Sequence, residues 1–79
     1  MSEEQLLQLV ASAVEKVIKG PAKISIDTDL IEDDILDSLD GMVFLLELEE
    51  ATGKRFPEDI DLVAEGYYKV RKLLDFLKV

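Results

Sequence analysis

Residues 34–53 read DILDSLDGMVFLLELEEATG, and the way this stretch folds decides how the rest of the chain is arranged. Asp37 suits a helix N-cap, and Asp40 falls three residues later, an acidic variant of the capping box that also complements the positive end of a helix. Gly53 is a natural C-terminal stop. The stretch is therefore predicted to be a helix running from the Asp37 cap to about Thr52, with Ser38 at its first position and the serine hydroxyl unused. Residues set about 100° apart on that helix make two apolar faces. Phe44, Leu45, Leu48 and Ala51 share one side with Gly41, whereas Leu39, Met42, Val43 and Leu46 share the other, flanked by Glu49 and Glu50. One face is enough to bury a helix. The second is either covered by the loop that precedes the helix or left bare as a docking surface beside Ser38.

Working outward, Ser2 and Gln5 form a capping-box pattern, and Leu6, Leu9, Val10, Ala13, Val14 and Val17 then recur at helical spacing as far as Gly20-Pro21. This predicts a first helix over 3–19. From Gly20 to Leu36 no period is sustained, but Ile24, Ile26, Leu30, Ile31, Ile35 and Leu36 punctuate the segment, so a long loop pinned onto the core is expected. Beyond Lys54-Arg55-Phe56, Pro57 with Glu58 and Asp59 predicts a short third helix ending near Val63. A connection around Gly66 follows, and Tyr68, Val70, Leu73, Leu74 and Leu77 trace a last helix carrying Lys69, Arg71, Lys72 and Lys78. Tyr67 and Tyr68 read as half-buried packing residues. The predicted fold is all-α, a small four-helix bundle with a long first loop and a short third helix, forming one domain over 1–79.

Composition narrows the chemistry. The chain has 79 residues, 48% hydrophobic and 34% charged, as expected of an ordinary small globular domain. It has no cysteine and no histidine, which excludes a disulfide framework and removes the usual zinc ligands. The N-terminus carries acids where a secretory signal carries bases, and no apolar run approaches the roughly 20 residues of a membrane span. A soluble, cytoplasmic protein is expected. Between Ile24 and Gly53 lie ten acids and no Lys or Arg, while the other 49 residues hold eight acids and nine bases, so the whole net charge of −9 resides in the middle segment. Such a surface repels phosphate backbones and favours basic protein surfaces over nucleic acid as partners.

Ser38 has no base to activate it as a nucleophile, because the chain lacks His and the nearest lysines in sequence are Lys23 and Lys54. An EF-hand register begun at Asp29 puts Ile31 at the third position and Asp34 where the turn glycine belongs, so it fails as a calcium loop. No glycine-rich phosphate loop exists. Catalysis by the chain itself is not expected and no residues are assigned as metal ligands, while loose association of divalent ions with the acidic segment, as in an ion sensor, stays open.

Asp37-Ser38-Leu39 thus stands at the start of a second helix that follows a long loop and continues through Glu47, Glu49 and Glu50. In this the chain resembles the acyl carrier proteins and the related peptidyl and aminoacyl carriers, over nearly its whole length: first helix, long loop ending in the motif, second helix, proline-started short helix and a last helix ending LLDFL. The resemblance implies that Ser38, between Asp37 and Leu39, is the attachment site of 4'-phosphopantetheine. A separate phosphopantetheinyl transferase, with magnesium, would direct the hydroxyl onto the pyrophosphate of coenzyme A. The thiol of the arm would carry an acyl group as a thioester, which accounts for a carrier without cysteine. The resemblance further implies a monomer, not itself an enzyme. Asp37, Asp40, Glu49 and Glu50, with Met42 and Leu46, would form its docking surface for basic patches on acyl-processing enzymes of fatty-acid, polyketide or related specialised synthesis.

Several positions depart from the fatty-acid carrier pattern. Asp34 stands where glycine is common, Val43 where an acid is usual, one extra residue lies between Pro57 and Val70, and Tyr67-Tyr68 occupies the region near the end of the acyl pocket. These departures count against housekeeping fatty-acid synthesis, and the stretch ILDSLD over 35–40 also resembles standalone carriers of polyketide, D-alanine or other specialised pathways. The rival reading is a small acidic helical protein-interaction module without a prosthetic group, in which Ser38 is an ordinary helix-end residue.

Overall fold

The first helix, α1, spans Glu3–Ile18 and is capped as its sequence predicts. Ser2 Oγ accepts from the Gln5 amide at 3.2 Å, and Gln5 Oε1 accepts from the Ser2 amide at 3.0 Å. Lys19 closes the helix in the left-handed conformation, one residue earlier than expected, with its amide donating to Glu15 O. The structure, a computed structural model, describes residues 2–78.

The second helix, α2, spans Ser38–Thr52, with Asp37 as N-cap and Gly53 as a left-handed C-cap. The last, α3, spans Val70–Lys78, and its Val70, Leu73, Leu74 and Leu77 are all buried, the i, i+3, i+4, i+7 stripe of a helix with one apolar face. α1 packs against both α2 and α3. The core they enclose is filled by Val10 and Val14 of α1, Phe44 and Leu48 of α2, and Val70, Leu73 and Leu74 of α3, with Leu30, Leu36, Phe56 and Tyr68 added from the connections.

The fold is all-α, but it is not a four-helix bundle: among the described residues there are three helices. The expected short helix beginning at Pro57 does not form. Asp61 sets the local geometry instead, its Oδ1 accepting from the Val63 and Ala64 amides at 3.1 and 3.2 Å. The nucleus is thus displaced four residues toward the C-terminus, and Gly66, at φ +78°, ends it after about one turn. A single turn recovers too few hydrogen bonds to offset the ordering of its backbone and propagate.

The last helix also begins later than Tyr68, because Tyr68 and Lys69 are recruited by the first loop. The Leu30 amide donates to Tyr68 O and the Val70 amide to Thr28 O, both at 2.9 Å, forming an isolated antiparallel bridge between Asp29 and Lys69. This bridge, with the burial of Leu30 and Leu36, is what pins the long loop onto the core. Asp29 Oδ1 organises the next turn by accepting from the Ile31 and Glu32 amides at 3.0 Å each. Asp34 then takes φ +59°. That left-handed conformation is strained for a side-chain-bearing residue, although Asp tolerates it better than most, and it turns the chain toward α2.

Candidate functional site

Ser38 is exposed at the first position of α2. Asp37, whose backbone is extended, accepts from the Asp40 amide through Oδ1 at 2.7 Å, and the Gly41 amide donates to Asp37 O at 2.8 Å. Of the amides opening the helix, those of Asp40 and Gly41 are therefore satisfied. Among the described residues no hydrogen bond engages the Ser38 hydroxyl, the Ser38 amide or the Leu39 amide. A helix start with two open N–H groups and a positive dipole end accommodates an anionic group attached at that serine. The Asp37 carboxylate, the nearest negative charge in sequence, is held by its capping bond to the Asp40 amide. The residues present fit a phosphodiester on Ser38.

The outer stripe of α2 starts at this same turn. Leu39, Met42, Val43 and Leu46 are 70%, 63%, 44% and 62% exposed. The first loop does not cover them. Ile60 and Val63, from the irregular segment that replaces the expected third helix, add two more exposed apolar side chains. Between the stripe and that segment runs an open cleft of about 280 Å³, walled by Met42, Leu46, Phe56, Ile60 and Leu62 with Glu49 and Glu58 at its edge.

The acids assigned to this face differ in their surroundings. Asp40 is half-buried and Glu50 exposed. Glu49, half-buried, is committed within the molecule: its Oε2 accepts from the Phe56 amide at 2.7 Å and ties the post-helix loop back to α2. Glu47 lies 3.8 Å from Lys16 of α1, a partly solvated pair of small energetic weight. Among the described residues no group of three or more acids is placed to hold a metal ion.

Two features were not legible in the sequence. One is an aromatic cluster in which Phe56 and Phe76 stack with ring centroids 4.5 Å apart, while Tyr67 meets both edge-on at 5.9 Å. The other is the contact between Tyr68 and Gly41. A Cβ on Gly41 would sit 2.9–3.0 Å from the Tyr68 ring edge and hydroxyl, so the glycine makes room for the tyrosine one turn after Ser38. Tyr68 is only 4% exposed, its burial holds the phenol pKa above the ordinary range, and no hydrogen bond to its hydroxyl is found among the described residues. The only sequence cue was a glycine within the first turn of an otherwise well-formed helix.

Among the described residues no helix is long and apolar enough to cross a membrane. No known family, curated protein or solved structure matches the chain.

Proposed function

We propose that this chain is a carrier protein, modified on Ser38 with 4'-phosphopantetheine and presenting acyl groups to partner enzymes. The observation that supports this reading best is the exposed Ser38, its hydroxyl without a partner, at a helix start with two open amides and beside a bare apolar stripe. A phosphopantetheinyl transferase, with magnesium, supplies the base that takes the hydroxyl proton. Ser38 Oγ forms a bond to the phosphorus of coenzyme A that bears pantetheine, the P–O bond to the second phosphorus breaks, and adenosine bisphosphate leaves. When bound, the group supplies a terminal thiol on which an acyl chain is held as a thioester. Ser38 and Leu39 offer their amides to the new phosphodiester. Met42, Val43 and Leu46, with Asp40 and Glu50 beside them, offer an acidic-rimmed apolar face to a basic patch on a partner. Glu49 contributes charge to this face while holding Phe56, so it is a framework residue as much as a docking one.

Incubation with a transferase, magnesium and coenzyme A, followed by mass spectrometry, tests the proposal. A phosphopantetheinyl adduct on the intact chain that disappears in Ser38→Ala is the expected result. Absence of the adduct, or its persistence in Ser38→Ala, leaves the acidic interaction module as the better reading, since the bare α2 stripe supports docking with or without a prosthetic group.

A further inference from the structure

α3 and the turn ahead of it carry a face opposite in sign to that of α2. An open cleft of about 460 Å³ lies there, walled by Tyr67, Lys69, Arg71, Lys72 and Phe76, with Asp75 as the acid among its walls. The half-buried rings of Tyr67 and Phe76, edge-on at 5.9 Å, give it an apolar wall, and its three bases are exposed. Arg71 is paired with Asp27 at 2.8 Å. Lys69 and Lys72 take part in none of the ion pairs found among the described residues. Lys72 Nζ lies 4.6 Å from the centre of the Tyr67 ring and donates to Glu65 O, a neutral group that leaves its charge uncompensated.

The outer stripe of α2 is the complement of this cleft. Met42, Val43 and Leu46 are exposed apolar side chains, set in a segment from Ile24 to Gly53 that holds ten acids and no base. Glu50, exposed on the same helix, is also absent from the ion pairs among the described residues. Because the stripe is bare, the two faces do not pair within one molecule. A helix that lays its apolar face into a groove, with its flanking acids against bases on the rim, is a recurring mode of recognition. A second copy of the chain carries both halves of that match.

We infer that the chain pairs with itself, the outer stripe of α2 in one copy seated on the Tyr67–Phe76 cleft of another. Met42 and Leu46 meet the aromatic rings, and Lys69 and Lys72 face Glu50 and its acidic neighbours. The net charge of −9 on each copy opposes the approach. At physiological ionic strength, however, the Debye length is about 8 Å, so distant charges are screened and those in contact decide. A contact made by one helix face belongs with small, transient interfaces. It departs from the monomer that the family resemblance implies and needs no group on Ser38. It also occupies the stripe assigned to partner docking, so paired copies are withheld from partners.

Sedimentation of the full, unmodified chain at physiological ionic strength, from micromolar to millimolar concentration, tests the pairing, with nitrogen-15 spectra recorded over the same range. A mass that rises with concentration is expected, together with amide shifts on dilution at both Met42–Leu46 and Tyr67–Phe76. Lys69→Glu and Glu50→Lys, each at an exposed side chain, should raise the dissociation constant roughly tenfold. An equimolar mixture of the two should restore the contact, because the stripe of the first and the cleft of the second are intact. Glu50→Lys is the sharper arm: it makes the chain less negative, so general repulsion alone would give tighter association. A monomer throughout the range, shifts at only one of the two faces, association unmoved or tightened by Glu50→Lys, or a mixture no better than its components overturns the inference. Since every measurement is made without the prosthetic group, each of these outcomes leaves the carrier reading standing.

Discussion

Within α2, Phe44 and Leu48 are fully buried, whereas Met42 and Leu46, two positions before each, are 63% and 62% exposed. Both faces are built from large apolar residues, and hydropathy alone does not tell them apart. What separates them is the company each keeps. The inner face meets Val10, Val14, Leu73 and Leu74 from the two other helices, which supply a surface to close against. The outer face would need the first loop, but that loop is held elsewhere, its Leu30 and Leu36 turned into the core and its Thr28 and Leu30 bonded to the start of α3. A helix apolar all round is normally enclosed. Here the enclosing element is held in the core and against the start of α3 instead, and the bare stripe begins at the turn that carries Ser38.

The largest test of this contrast is truncation of the inner face. Phe44→Ala should destabilise the protein by roughly 3–5 kcal/mol, the transfer and cavity penalty of a fully buried aromatic. Chemical denaturation with the midpoint and slope fitted together would measure it. A loss below about 1 kcal/mol would mean that the inner face is no better packed than the outer one.

Next in size is the wedge between the faces. Gly41→Ala drives a methyl into the Tyr68 ring edge, an overpacking penalty of about 1–3 kcal/mol, offset by about 1 kcal/mol of helix propensity. A net loss of about 1 kcal/mol is expected. In a Tyr68→Leu background the clash is gone, so the same Gly41→Ala change should become stabilising. A double-mutant cycle over the four proteins reads the reversal of sign. If Gly41→Ala acts equally in both backgrounds, Tyr68 is not what excludes a side chain there.

How far this arrangement was readable in advance varies along the chain. Both long helices could be read from their caps, because Ser2, Gln5, Asp37 and Gly53 act through bonds only a few residues long. The exposed position of Ser38 followed from the same local logic. The missing third helix depended on Asp61 out-competing Pro57 for the turn, and the delayed start of α3 on a pairing between residues 28–30 and 68–70, some 40 apart. Non-local pairing leaves no period in the sequence, and so the Tyr68–Gly41 contact was hidden as well. Asp34 lies between these cases. The residue itself was plain to read, and its φ of +59° shows a backbone conformation that glycine adopts without strain. Asp34→Gly should relieve the left-handed strain, less the added freedom of the unfolded chain, raising stability by up to about 1 kcal/mol. A lowered melting temperature would show that the aspartate's local bonds outweigh its backbone strain.

The smallest expected effect on stability is also the most informative about function. Leu46→Glu places a charge at the centre of the outer stripe, where the side chain is already 62% exposed and no covering element has to be displaced. Surface changes of this kind usually stay within about 0.5 kcal/mol, so the melting temperature should barely move. On the carrier reading, the added acid should still weaken partner-dependent acyl loading, because it removes apolar contact from the middle of the docking face and leaves only Asp40, Glu50 and their neighbours to attract the basic patch. Loading measured against partner concentration separates the two roles: a raised half-saturation with an unchanged plateau marks lost docking, whereas a lowered plateau marks a damaged carrier. Should Leu46→Glu unfold the protein as readily as Phe44→Ala, the outer face is buried in solution, and recognition would rest on the charged residues around Ser38 alone.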